Sequence, residues 1–406
     1  MCVRSRGERT AAGRPASFFS SCWFSITGAA LLGALCALGP AFASSPQAPD
    51  AQQLFQEAFQ AQQRGDATVA VRKYQELIRL HPDMTAARAN LGVVLVSLGR
   101  FDEAIAQYRA ALQQVPDNRD LRLNLALAYY KKGDFAAAAE EFSPLHEQKP
   151  GDVRLVALLG DCYMRLGRYA QIITLVTPLE GAHPDDLALA WLLGYALIRT
   201  GQTQEGLKRV EKVLQQGQSA EAFMLAAEGH LKLENFEEAR RDVDAAMRLN
   251  PHLPGLYTVR GMVLEYGGDD KGAEDAFQRA LEANPTDFEA QMRLGSVLYA
   301  ERKLDEARAH LNRALEIDPA SPYPRYELAR VERAQGQVEA AVKDLERVVR
   351  TEPEWLAPHV DLAALYFRLN RPQDGAREKA IVDRLSEEQR QREAKSHIIT
   401  PALPVR

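Results

Sequence analysis

An all-α solenoid of about ten stacked helical hairpins is the fold class this sequence predicts, and three features predict it. The first is a period: Pro82, Pro116, Pro150 and Pro184, then Pro251, Pro285, Pro319 and Pro353, stand 34 residues apart, except that Pro184 to Pro251 spans 67, one repeat of 33 plus one of 34. The second is a column of small residues at the same period, and the third is a column of glycines. A repeat of this length is one helical hairpin that cannot bury its apolar face alone, so neighbours must stack into a continuous core. Function is then to be sought on the surface of the stack.

Placing each proline at repeat position 32 starts the repeats at Ala51, Thr85, Arg119, Val153, Leu187, Ala220, Pro254, Phe288, Pro322 and Leu356. In the first helix, position 7 is mostly leucine (Leu91, Leu125, Leu159, Leu193, Leu294, Leu328, Leu362) and supplies core. Position 8 is always small: Ala58, Gly92, Ala126, Gly160, Gly194, Ala227, Gly261, Gly295, Ala329 and Ala363. Only a minimal side chain lets two helix backbones approach closely. Position 15 holds Gly65, Gly99, Gly133, Gly167, Gly201, Gly268 and Gly336, with Asn370 in the last repeat, the residues that end a helix in a left-handed conformation. In the second helix, position 20 is alanine in seven repeats, from Ala70 to Ala341, and is expected to face position 8 across the hairpin. Position 24 is aromatic in Tyr74, Tyr108, Phe142 and Phe277 and is expected to fill the core between hairpins. The proline then stops the second helix.

Small at 8, glycine near 15, alanine at 20, aromatic at 24, small or aliphatic at 27 and proline at 32 resembles the tetratricopeptide repeat family over residues 51–386. The resemblance implies a right-handed superhelix of about ten hairpins closed by a C-terminal capping helix. The fifth repeat, Leu187–Ser219, is one residue short and lacks its proline. The charged stretch Ala376–Lys395 is similar to the solvating helix that caps such arrays.

Residues 1–43 read as a Sec-type signal peptide. Arg4, Arg6, Arg9 and Arg14 precede an apolar run from Ile26 to Leu38, and Ala41-Phe42-Ala43 gives a cleavage pattern before Ser44. The run falls short of the ~20 residues that cross a bilayer, so no stable span is expected after cleavage. Residues 44–50 read as a linker and 387–406 as the end of the cap and a loose tail. Cleavage removes Cys2, Cys22 and Cys36 and leaves Cys162 alone, which excludes an intramolecular disulfide. Losing four arginines and one glutamate from 50 basic and 55 acidic residues leaves 46 against 54, a net charge of −8. Nucleic acid, which selects a basic stripe, is not an expected partner. The Ala, Leu, Arg and Gly bias with few lysines looks bacterial, and the expected address is the periplasm or the exterior.

Short strings that tempt an enzymatic reading fall at fixed repeat positions. His81-Pro82-Asp83 and His183-Pro184-Asp185 sit at positions 31–33, and Gly267-Gly268-Asp269-Asp270 fills an inter-helix turn, where Gly and Asp are the usual turn formers. Cys162 shares a column with Val94, Ala128 and Val263 and reads as core. No phosphate-binding loop, nucleophile elbow or metal-spaced His/Cys pair occurs. No cofactor and no catalysis are expected.

The resemblance implies that positions 2, 5, 9, 12 and 13 of the first helices line a concave groove that takes a protein or an extended peptide. Position 5 includes Trp191, position 9 includes Tyr195, and position 12 includes Tyr130, an aromatic content that suits recognition. Position 13 in four successive repeats is Lys131, Arg165, Arg199 and Lys232, with Arg154 beside them, a cationic rail suited to an acidic partner. Asn90 and Asn124 occupy position 6, where family members clamp a peptide backbone. The expected function is a non-catalytic scaffold or assembly factor of the bacterial envelope. The alternative is a glycan-handling subunit of a polysaccharide export or peptidoglycan system, in which aromatic residues such as Trp191 and Tyr195 stack on sugars.

Overall fold

The computed structural model describes the backbone of residues 49–399 and the side chains of residues 51–392. The expected signal peptide, residues 44–48 of the linker and the last seven residues lie outside the described residues. Two compact units divide the chain between Glu234 and Asn235. Among the described residues there are twenty helices and no strand.

The first unit contains five hairpins and one more helix: α1 (Pro49–Gln63) with α2 (Ala67–Leu80), α3 (Thr85–Ser97) with α4 (Phe101–Gln114), α5 (Arg119–Lys132) with α6 (Phe135–Gln148), α7 (Val153–Arg165) with α8 (Tyr169–Glu180), α9 (Leu187–Arg199) with α10 (Thr203–Gln216), and α11 (Ala220–Lys232). The second opens with α12 (Phe236–Leu249) and continues with α13 (Leu256–Tyr266), α14 (Asp270–Ala283), α15 (Phe288–Ala300), α16 (Leu304–Ile317), α17 (Pro322–Ala334), α18 (Val338–Thr351), α19 (Leu356–Arg368) and α20 (Pro372–Ile399). Every second helix begins at repeat position 17. Within each unit a helix packs against the next in sequence, and successive first helices lie side by side.

Local chemistry sets these boundaries. Asp or Asn at position 34 caps first helices, as when the Leu121 amide donates to Asn118 Oδ1 at 3.0 Å and the Leu189 amide to Asp186 Oδ1 at 2.9 Å. Asp66, Asp134 and Asp269 cap second helices in the same way, so the Gly-Gly-Asp-Asp string is a turn followed by a cap. At position 15 all ten residues adopt positive φ, including Glu234 (59°) and Arg302 (65°), where glycine is absent. The amide of position 16 then bonds the carbonyl of position 11, as from Asp134 to Tyr129 at 3.0 Å and from Lys303 to Leu298 at 2.9 Å. A side chain in this conformation costs ~1–2 kcal/mol. Arg302→Gly is therefore expected to raise stability by about 1 kcal/mol in denaturant unfolding, and an unchanged or lower midpoint would refute the strain.

The small column at position 8 faces positions 20 and 24 of its own hairpin. A Cβ on Gly92 would lie 2.5 Å from the Tyr108 ring, one on Gly261 2.4 Å from Phe277, and one on Gly295 2.6 Å from Leu311 and 3.3 Å from the Ala307 carbonyl oxygen. Tyr74, Tyr108, Phe142 and Phe277 are fully buried. The position-24 ring thus fills the hairpin's own interior rather than only the gap between hairpins. Gly160 is the exception, facing Leu192 of the next first helix at 2.7 Å.

A recurring polar clasp ties each such repeat to the proline before it. The side chain at position 4 donates to the proline carbonyl six residues back and also meets position 23 of the second helix. Arg88 reaches the Pro82 oxygen (3.1 Å) and Gln107 (3.1 Å), Arg122 the Pro116 oxygen (3.1 Å) and Glu141 (3.3 Å), and Arg325 the Pro319 oxygen (2.9 Å) and Asp344 (3.3 Å). Gln291 does the same with Pro285 (3.0 Å) and His310 (2.7 Å), and His359 with Pro353 (3.1 Å) and Glu378 (2.6 Å). In the short fifth repeat position 4 is Ala190. The vacated slot is a shallow cavity beside Pro184, whose carbonyl accepts from Lys212 instead, while Arg209 at position 23 turns to Glu180 (2.9 Å).

The expected cap is not a separate element. Pro372, tolerated in a first helical turn, begins a single helix of 28 residues that serves as second helix and cap together. It runs to Ile399, beyond the point where a loose tail was expected. Leu385 is the last buried one among its described side chains; from Glu387 to Arg392 it is largely exposed.

Candidate functional site

All ten residues expected to line the groove lie in the first unit, and the structure separates them into two groups. Lys131 and Arg154 are exposed, and Asn124 is half-buried. Asn90 hydrogen-bonds the Tyr74 hydroxyl, which itself donates to Gln62 Oε1 at 2.8 Å, so that amide is engaged within its own stack.

The rail of cations is interrupted by carboxylates. Arg165 lies 3.5 Å from Asp161 and over the Phe135 ring, at 5.6 Å from its centre. Tyr130 donates to the other oxygen of Asp161 at 2.6 Å. Burial pushes the Asp161 carboxyl up from its ordinary range, opposed by Tyr130 and Arg165. Arg199 pairs with Glu228 at 2.8 Å over the Tyr195 ring, and Lys232 donates to the Ile198 carbonyl at 3.3 Å. Arg165 and Arg199 therefore belong to internal ion pairs, and only part of the expected rail faces solvent.

The aromatic anchors are inside. Trp191 is 3% exposed and Tyr195 7%. Their rings pack 5.9 Å apart, and Tyr195 meets Tyr169 at 5.9 Å. The reason is local: from Leu189 to Ile198 every residue of α9 is buried, and a helix apolar all round is a buried helix. Neither ring offers a face on which a sugar could stack.

The exposed apolar side chains sit elsewhere. In the first unit the large ones, Leu80, Leu98, Val115 and Leu233, occupy turn-proximal positions 14, 30 and 31. In the second unit Leu249 (44% exposed) is turn-proximal as well, at position 30, while Tyr266 (50%), Tyr323 (39%), Val360 (46%) and Phe367 (49%) occupy positions 13, 2, 5 and 12 of the first helices α13, α17 and α19. Tyr323 and Tyr326 both pack on Trp355, with ring centres 5.2 and 4.8 Å away. Phe367 rests over Gly375, where any Cβ would come within 3.0 Å of its ring.

Among these rings runs a ladder of paired ions. Arg293 spans Glu265 (2.9 Å) and Glu289 (2.5 Å) beneath Tyr266. Arg330 binds Glu327 at 2.7 Å and lies 4.6 Å from the centre of the Tyr299 ring. Arg333 meets Asp361 at 2.5 Å, and Tyr326 donates to the same carboxylate at 3.1 Å. Burial raises the Glu327 carboxyl despite its Arg330 partner. Sequence reading placed positions 2, 5, 12 and 13 of this face in the groove but missed its ion pairs, whose charges come from scattered positions 2, 6, 9 and 12. The signal lay in acids three or four residues before an arginine, as in Glu289–Arg293 and Glu327–Arg330, and in acids and arginines of neighbouring repeats, as in Glu265–Arg293 and Arg333–Asp361.

Cys162, the cysteine among the described residues, serves as packing. Cys162 is fully buried, and burial pushes its thiol well above the ordinary range. No group of three or more metal-ligating side chains occurs among the described residues. No helix among them is long and apolar enough to cross a membrane.

Comparison with known proteins agrees with the architecture. No curated protein matches this chain. Among solved structures, one chain of the crystal structure of the APC/C hetero-tetramer Cut9-Hcn1 aligns with 84% of this chain and 95% of its own length, at 13% identity and a TM-score of 0.55. The crystal structure of MamA (16% identity, 41% of this chain and 96% of its own, TM-score 0.37) and a MamA RS-1 ArsTM double mutant (24%, 43% and 97%, 0.39) also align. Profiles described as tetratricopeptide repeat match residues 129–193 and 298–354, and 224–287 and 258–322, and one described as TPR repeat matches 92–133. With the period, the left-handed column and the hairpins, these matches establish that the chain belongs to the tetratricopeptide repeat family.

Proposed function

We propose that this protein is a non-catalytic scaffold or assembly factor of the bacterial cell envelope, exported by its N-terminal segment, that holds protein or peptide partners non-covalently on its first-helix faces. The observation that carries this reading is where accessible side chains lie. Exposed apolar rings and exposed polar groups such as Lys131 and Arg154 stand on first helices, while the thiol and the engaged histidines His310 and His359 are spent on packing and clasps. A pre-formed face of this kind loses little entropy when an extended partner settles on it. The burial of Trp191 and Tyr195 withdraws those two rings from the glycan alternative.

Two measurements test the reading together. N-terminal sequencing of the native protein is expected to begin at or near Ser44, and affinity capture from envelope extracts to return a defined protein. Recovery of an intact Met1 chain from the cytosol, or capture of polysaccharide alone, would contradict it.

A further inference from the structure

We infer that the vacant position-4 slot of the fifth repeat is a binding site for an alkylguanidinium group, the end of an arginine side chain or a small guanidino compound. This goes beyond the scaffold reading and does not depend on where protein partners lie.

The other repeats show what such a slot holds. Arg88, Arg122 and Arg325 each lay a guanidinium beside the preceding proline and donate to its carbonyl, at 3.1, 3.1 and 2.9 Å. Position 4 is otherwise glutamine, histidine or, at Leu54, Val156, Phe223 and Tyr257, a bulky apolar side chain; Ala190 is the smallest of the ten. It leaves a shallow cavity of about 150 Å³ lined by Pro184, Leu189 and Ala190. A cavity of that volume admits a molecule of benzene's size. Ethylguanidinium has as many heavy atoms as benzene, and it is what alanine lacks: the arginine side chain beyond Cβ.

Charge favours a cation. Lys208, Arg209 and Lys212 also line the cavity and are matched one to one by Glu205 (2.6 Å), Glu180 (2.9 Å) and Asp185 (3.4 Å). Asp186, in the same lining, gives Oδ1 to the Leu189 amide and has no cationic partner among the described residues. A carboxylate is therefore left over, and an anionic ligand would face it. Lys212 donates to the Pro184 carbonyl, yet its ammonium neither fills the volume nor offers the planar fork of a guanidinium. An incoming guanidinium takes the carbonyl and Asp186, and Lys212 falls back on Asp185, which is 89% exposed. Exposed ion pairs hold weakly, so the exchange costs little. Arg209 need not move, because it holds Glu180 and Glu205 together at 2.9 and 2.7 Å.

Calorimetric titration of the full mature chain with millimolar ethylguanidinium chloride tests the site, and saturable binding of one molecule per chain is expected. Ala190→Arg and, independently, the smaller Ala190→Gln should weaken binding about tenfold or more, since a filled cavity has no room left. Asp186→Asn, which keeps the helix cap as Asn118 does, should weaken it about threefold or more, as losing a charge-assisted contact does. Melting curves verify that each variant is folded. Ethylammonium, without the fork, should bind about fivefold more weakly or worse, and propionate should not saturate. Equal binding of acetyl-Gly-Arg-Gly-amide would uphold the inference and assign the slot to a partner's arginine; binding of ethylguanidinium without the tripeptide would uphold it and assign the slot to a small guanidino compound. No saturable binding, equal binding of ethylammonium or propionate, or binding that survives both substitutions at Ala190 would overturn it.

Discussion

Replacing Gly206 by valine is expected to destabilise the first unit by about 3 kcal/mol, with Gly217→Ala as a neutral control. Gly206 and Gly194 make α9/α10 the hairpin of the chain with glycine at both position 8 and position 20. A Cβ on Gly206 would lie 2.7 Å from the Gly194 carbonyl oxygen and 2.9 Å from the Ile198 amide nitrogen, both backbone atoms that no rotamer change can move. A Cβ on Gly194 would reciprocally meet the Gly206 oxygen at 3.0 Å. Overpacking a well-fitted core costs ~1–3 kcal/mol, and a β-branched residue against backbone falls at the upper end. Nothing lies within 4 Å of a Cβ on Gly217, whose backbone is extended. Denaturant unfolding followed by far-UV circular dichroism reads both. Equal midpoints for the two variants would mean that the helices do not approach as described.

Removing the clasp is expected to have the second-largest effect: Arg325→Ala should cost about 1–3 kcal/mol, and Arg325→Gln should recover part of the loss. The arginine donates to the exposed Pro319 carbonyl at 2.9 Å and to the half-buried Asp344 at 3.3 Å. Alanine leaves the carbonyl without its donor and Asp344 with only the more distant Arg347, at 3.8 Å. Leaving the sheltered Asp344 carboxylate short of its donor carries that order of penalty, whereas water can reach the carbonyl. Glutamine already does this job in α15, where Gln291 Nε2 donates to the Pro285 oxygen at 3.0 Å. If alanine and glutamine prove equally stable, the carbonyl bond contributes nothing.

The hairpins were legible because their constraints are steric and therefore written in residue size. Small at position 8 and a left-handed residue at position 15 recur in phase, and even Glu234 and Arg302, with no glycine to mark them, take positive φ where the phase places them. The clasp was illegible for the opposite reason. Arg, Gln and His at position 4 share a reach and a donor but not an identity, so no column of like residues appears.

The expected groove failed in part through the same distinction. Trp191 and Tyr195 were assigned by position alone, yet Leu-Ala-Leu-Ala-Trp-Leu-Leu-Gly-Tyr-Ala-Leu-Ile is apolar on every face, which announces burial. Arg165 follows Asp161 by four residues, the spacing of an intrahelical ion pair. Sequence order alone could not show Glu228 meeting Arg199, because that contact joins successive repeats.

The central claim, that partners bind to first-helix faces, is tested most directly by site-specific photo-crosslinking in the full chain. A benzophenone amino acid replaces Tyr266 or Val360 on first helices and, as controls, the exposed Arg313 or Lys343 on second helices. With the partner captured from envelope extracts, adducts are expected from positions 266 and 360 and none from 313 and 343. Adducts from 313 or 343, with none from 266 or 360, would contradict it.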